Sequence, residues 1–204
     1  MPARNIIRKD IDQAYYHLYA RGANKQRIFL TDADKQKFLD LLRRYLSQEQ
    51  SVSDTGEVYP NYSGRVELLA YCLMDNHFHL FVFQKDAGNV TGMMRSLMTS
   101  YVRYFNLKYK RTGSLLESRY KSSHVQNETY LMHISRYIHL NPRSWKYFPY
   151  SSINYYRNGE EPDWLHTYRV LDMFADRKEY MKFVYDYEDY KDMLDEIKHD
   201  IADL

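Results

Sequence analysis

The chain has 204 residues, 44% of them hydrophobic and 27% charged, with 7 Gly and 5 Pro, which fits one globular domain plus an appendage and excludes collagen-like, low-complexity and wholly disordered classes. Its single cysteine, Cys72, excludes an internal disulfide and a cysteine-based zinc cage; with a longest apolar run of only Leu68 to Met74 and a polar, charged start, a soluble cytoplasmic protein without signal or membrane span is expected. The net charge of +2 hides an asymmetry: residues 1–126 carry 19 Lys and Arg against 12 Asp and Glu, and residues 127–204 carry 10 against 15.

Gln13 to Ala20 is rich in aromatics and runs into Arg21-Gly22, which predicts a first strand closed by a turn. Thr31 and Asp32 then start a helix whose apolar positions Phe38, Leu41, Leu42, Tyr45 and Leu46 share one face. Ser51 to Gly64 is a loop by composition. Arg65 to Leu73 and Phe78 to Phe83 are strand-like runs around Met74-Asp75-Asn76-His77, an expected antiparallel hairpin. Val90, Met93, Met94, Leu97, Met98, Tyr101 and Phe105 mark a second amphipathic helix, its methionines read as core filler. Arg119 to Gln126 is a further strand, and Glu128 to Leu140 a third helix stopped by Asn141-Pro142. The order β-α-β-β-α-β-α implies an α+β, ferredoxin-like layer pair: one antiparallel sheet with helices covering a face. From Ser144 the character changes, so residues 1–143 are expected to form the main domain and 144–204 a C-terminal extension with an acidic helical tail.

The densest basic stretch, Arg95 to Lys121, has seven positive residues opposed only by Glu117, and the chain holds 22 Tyr, 9 Phe and 2 Trp. Cations beside aromatic rings suit a nucleic-acid surface, since phosphates attract the former and unstacked bases the latter; a solvated basic surface over a tyrosine-rich core has the same composition. His77-Phe78-His79 is the most informative tripeptide. On a strand, both imidazoles point to one face and Phe78 to the other. Two imidazoles on a rigid face can share a metal ion, although histidines on strands also serve as hydrogen-bonded core residues. Tyr137 and Asn141 are four residues apart, one turn of helix, so a phenol and a carboxamide share a face. Next to a divalent ion, a phenol of ordinary pKa about 10 can attack phosphorus. Spacing alone does not single out Tyr137 from the other tyrosines, and Asn141 is equally a helix C-cap.

Cys72-Leu73-Met74-Asp75-Asn76-His77-Phe78-His79-Leu80-Phe81 resembles the HUH motif of the IS200-like, single-tyrosine transposases. Tyr137-Ile138-His139-Leu140-Asn141-Pro142 resembles their tyrosine helix, in the form found in REP-associated tyrosine transposases. Tyr16 to Gly22, Tyr104-Phe105-Asn106, Gly113, Arg119 to Ser122 and Tyr150-Ser151-Ser152 are similar to further family segments in the same order. One stretch departs: Asn-Pro is followed by Arg143-Ser144-Trp145-Lys146, where the family has a small residue and glycine. The resemblance implies a metal-dependent endonuclease and strand transferase on hairpin-bearing single-stranded DNA. His77, His79 and Asn141 would hold Mg²⁺ or Mn²⁺, and Tyr137 would form a covalent 5′-phosphotyrosine. A hairpin-binding protein without strand transfer is the alternative. Phosphate contacts are expected from Arg21, Lys25, Arg27, Arg95, Arg103, Lys108, Lys110, Arg111, Arg119 and Lys121, in a monomer or homodimer. The segment Asp176 to Leu204, with ten carboxylates against five cations, is expected to form a helix near the DNA-binding face, competing with nonspecific phosphate.

Overall fold

The computed structural model describes residues 10–186. Four strands form one antiparallel sheet: β1 (Ala14–Arg21), β2 (Val66–Met74), β3 (His77–Gln84) and β4 (Lys121–Val125), in the order β2-β3-β1-β4. Helices α1 (Asp32–Leu46) and α2 (Asn89–Lys108) connect β1 to β2 and β3 to β4, and α3 (Glu128–Leu140) follows β4, so the element order is the one the hydrophobic periods predict. Local chemistry sets the boundaries. Thr31 and Asp34 form a capping box at the start of α1, and the Asn127 side chain accepts from the Tyr130 amide at the start of α3 (2.7 Å).

The hairpin is tighter than its sequence suggests. Only Asp75 and Asn76 lie outside the β2–β3 ladder, because neighbouring groups satisfy the turn. The Asp75 carbonyl accepts from Ile28 and Phe29 amides, the Asn76 carbonyl accepts from the Gly22 amide, and Arg27 and Lys35 hold the Asp75 carboxylate at 2.9 and 2.8 Å. Met74 and His77 therefore pair inside the sheet. Gly22 is required here: a Cβ would stand 2.1 Å from the Gln26 carbonyl oxygen.

The two faces of the sheet carry separate cores. Leu18, Ala20, Phe78, Leu80 and Val82 pack with Phe38, Leu42, Met93, Leu97 and Tyr101 of α1 and α2. Tyr19, Cys72, Phe81 and Phe83 pack with Ile134 and Ile138 of α3. The expectation of helices on a single face holds for α1 and α2, while α3 lies on the opposite face. The reason is alternation along β1 and β3: both sets of side chains are apolar or aromatic, so both faces need cover.

The second core is completed by described residues that follow α3. A short 3₁₀ turn (Trp145–Tyr147) leads to α4 (Ile153–Asn158), α5 (Tyr168–Leu171) and α6 (Arg177–Tyr185), which contribute Ile153, Tyr156, Val170, Tyr180 and Val184. This segment also covers the outer edge of β2. The Leu73 amide donates to the Tyr150 carbonyl, the Ser152 amide to Tyr71, and the His166 amide to Leu68, removing much of an otherwise open strand edge. Asp176 caps α6 through the Glu179 amide (2.8 Å); from 187 onward the expected acidic helix lies outside the described residues. Among the described residues no helix is long and apolar enough to cross a membrane.

Candidate active site

His77 and His79 project from the start of β3 onto the α3 face, and Phe78 enters the opposite core. The imidazole centroids are 5.0 Å apart and their planes nearly perpendicular. Helix α3 brings Asn141 between them: His77 Nε2 lies 3.1 Å from Asn141 Oδ1, and His79 Nε2 lies 3.3 Å from Asn141 Nδ2. One turn back on the helix, the Tyr137 ring stands edge-on to His79 with centroids 5.4 Å apart. Residues 58 to 64 positions apart in the chain thus meet because β3 and α3 are packed layers of one core.

The donor set fits a divalent cation. A neutral imidazole offers a ligand lone pair at Nε2 only when Nδ1 carries the proton, and Nδ1 then needs an acceptor. Both have one. His77 Nδ1 lies 2.7 Å from Asn76 Oδ1, and His79 Nδ1 lies 2.9 Å from His17 Nε2. Burial lowers the pKa of both imidazoles; for His77 the Arg21 guanidinium adds to this while the contact with Asn141 opposes it, and for His79 the adjacent His17 and His77 add to it. Both are therefore neutral, as ligation requires. Among the described residues no three His, Cys, Asp or Glu side chains form a metal-holding group; two imidazoles and an amide oxygen make up this set.

Burial pushes the Tyr137 phenol up to about 12, against a downward pull from Asn141. At neutral pH it is therefore protonated.

His17 is the participant that sequence patterns missed. It is fully buried, stacks on His79 and stands edge-on to Tyr137. The available signal was that it occupies the same face of β1 as Tyr19, within a strand pairing with the histidine strand.

The ten cations expected to contact phosphate fall into distinct settings. Arg21 is paired with His77 across β1 and β3, and its buried Nε has no hydrogen-bond partner. Lys121 lies over the Tyr19 ring at 5.9 Å. Arg95 and Arg119 flank a cleft of about 660 Å³ floored by Met94, Met98 and Leu115. Lys25, Arg103 and Lys110 are exposed. Three are engaged within the fold: Lys108 binds the buried Asp34 at 2.6 Å, Arg111 donates to Gln26, and Arg27 pairs with Asp75.

No curated protein matches the chain. In fold it is similar to a solved structure of a REP-associated tyrosine transposase bound to a REP hairpin, with a TM-score of 0.53 and 15% sequence identity over 78% of this chain and 89% of that one. The family model described as "Transposase IS200 like" matches residues 10–141, from the start of the described chain to Asn141. With strand order, paired histidines and tyrosine helix in the same span, the chain belongs to the IS200-like, single-tyrosine transposase family.

Proposed function

We propose that the protein is a metal-dependent endonuclease and strand transferase for single-stranded DNA containing a hairpin, with Tyr137 as nucleophile and His77, His79 and Asn141 as the ligands of Mg²⁺ or Mn²⁺. The observation that carries this reading is the convergence of both Nε2 atoms on the Asn141 amide, one helical turn from a tyrosine edge-on to His79. The imidazoles favour Mn²⁺ and the amide oxygen suits Mg²⁺. When bound, the ion supplies Lewis-acid polarisation of the scissile phosphate and lowers the cost of ionising a nearby phenol.

The chain's own groups do the rest. Asn141 and Tyr137 share a helix face, so docking of α3 sets ligand and nucleophile together. Arg21, paired with His77 across the sheet, places a positive charge beside the histidines that attracts a phosphate. The Tyr137 oxygen forms a bond to phosphorus as its proton leaves, the bond from phosphorus to the 3′ oxygen breaks, and that oxygen takes a proton to become a free 3′-hydroxyl. The 5′-phosphate stays on Tyr137. A 3′-hydroxyl of another end can reverse the step, which is strand transfer. A hairpin partner is supported by the fold relative, whose structure holds a REP hairpin.

The test is a denaturing-gel assay on single-stranded hairpin oligonucleotides with Mn²⁺ or Mg²⁺. A covalent protein–DNA adduct is expected from the native chain. Removing the metal with EDTA and the Tyr137→Phe substitution should each abolish it, while hairpin affinity in the substituted protein stays within about twofold, since one hydroxyl is a small part of a phosphate-dominated interface. Hairpin binding with no adduct from the native chain would favour the binding-only alternative.

A further inference from the structure

The acidic C-terminal half contains a cationic island. Residues 129–159 include no Asp or Glu and hold Arg136, Arg143, Lys146 and Arg157. Arg136 is buried against the Phe183 ring; the others lie in or beside the segment that follows Asn141. Four residues after Asn141 comes the Trp145–Tyr147 turn, a chain span of at most about 14 Å.

The turn is fixed in place. Trp145 packs on Tyr185 with ring centroids 5.1 Å apart, Lys146 Nζ lies 5.7 Å from the Trp145 centroid and 5.0 Å from that of Tyr185, and Arg157 Nη1 donates to the Lys146 carbonyl (3.2 Å). On this base Tyr147 is 85% exposed and Tyr185 50%. Large rings held open to solvent between cations match the surface that binds single strands, where bases stack on rings and phosphates meet Lys and Arg.

We propose that Tyr147, on the turn that Trp145, Lys146 and Tyr185 hold in place and four residues from Arg143, is a stacking platform for the single-stranded DNA that leads away from the phosphate at Tyr137. The inference rests on the proposed nuclease reading for its direction, and on the cationic island and the exposed rings for its ligand. Arg143, Lys146 and Arg157, with no carboxylate in residues 129–159, favour a polyanionic strand over a protein partner on the same patch.

The test compares binding of the full chain to a blunt DNA hairpin and to the same hairpin with an oligothymidine tail at its 5′ or 3′ end, at one fixed salt concentration. The tail on one side should tighten binding. Tyr147→Ala should remove about tenfold of affinity for that tailed hairpin and leave the blunt hairpin unchanged, Tyr147→Phe should restore it, and 5-iodouracil in the tail should crosslink to Tyr147 or Trp145. Equal affinity for tailed and blunt hairpins, an equal loss on both in Tyr147→Ala, or crosslinks mapping elsewhere overturn the platform. The gel adduct at Tyr137 is scored separately: tail-dependent binding without an adduct defeats the nuclease reading and keeps the platform, and an adduct without tail dependence does the reverse.

Discussion

His17 reaches the candidate metal site through one hydrogen bond to His79 and through ring contacts with His79, Tyr19 and Tyr137. By accepting from His79 Nδ1 (2.9 Å) it keeps the lone pair of His79 on Nε2. Replacing such a partner of a metal-ligating histidine costs about 10–100-fold in metal affinity. His17→Ala is therefore expected to weaken Mn²⁺ binding by about that factor, read by electron paramagnetic resonance titration, and His17→Gln, whose carbonyl can accept the same proton, to recover part of it. Unchanged Mn²⁺ affinity with a lowered melting temperature would reduce His17 to a packing residue. The i, i+2 spacing of His77 and His79 and the i, i+4 spacing of Tyr137 and Asn141 are periodic relations within one element and can be read from sequence. His17 meets His79 diagonally across two paired strands, and that relation exists only once register is fixed.

Helix α3 carries both candidate chemical groups, and its far side is tied down by a buried polar chain. His139 Nδ1 lies 2.7 Å from Tyr180 Oη and its Nε2 lies 2.8 Å from Ser152 Oγ; the Ser152 hydroxyl also accepts from the Tyr71 amide (2.9 Å). The C-terminal helices thereby anchor the tyrosine helix to β2. Ser152→Ala would leave a buried imidazole nitrogen and a buried amide short of a partner, an expected loss of about 1–3 kcal/mol measurable by urea unfolding, with a parallel fall in adduct yield because Tyr137 and Asn141 ride on the same helix. No stability change would show that water or a rotated neighbour replaces the hydroxyl. At this scale most elements were readable from hydrophobic period, because α1, α2 and α3 span three turns or more. Two matters were not. Helices α4 to α6 are too short to show a period, and the face chosen by α3 is unmarked because β2 is apolar on both sides. The bulge between Leu68 and Ala70 shifts the alternation further.

The molecule as a whole depends on residues that follow the family's matching span. Ile153, Tyr156, Val170, Tyr180 and Val184 are fully buried against the sheet and α3, at about 2 kcal/mol each for burial, together comparable to the entire net stability of a domain of about 5–15 kcal/mol. A chain ended at Arg143 is expected not to fold, which circular dichroism and a cooperative melt would reveal; a native-like melt would establish residues 1–143 as an independent unit. Cys72 gives this cover a further meaning. The lone thiol sits directly across from His79 in the sheet and beside Ser151 of the segment along the β2 edge, fully buried, and burial raises its pKa. A thiol so placed reacts with a disulfide reagent only while that segment is lifted. The chain thus contains its own stopwatch: the rate of labelling at one atom would time how often the cover along β2 opens.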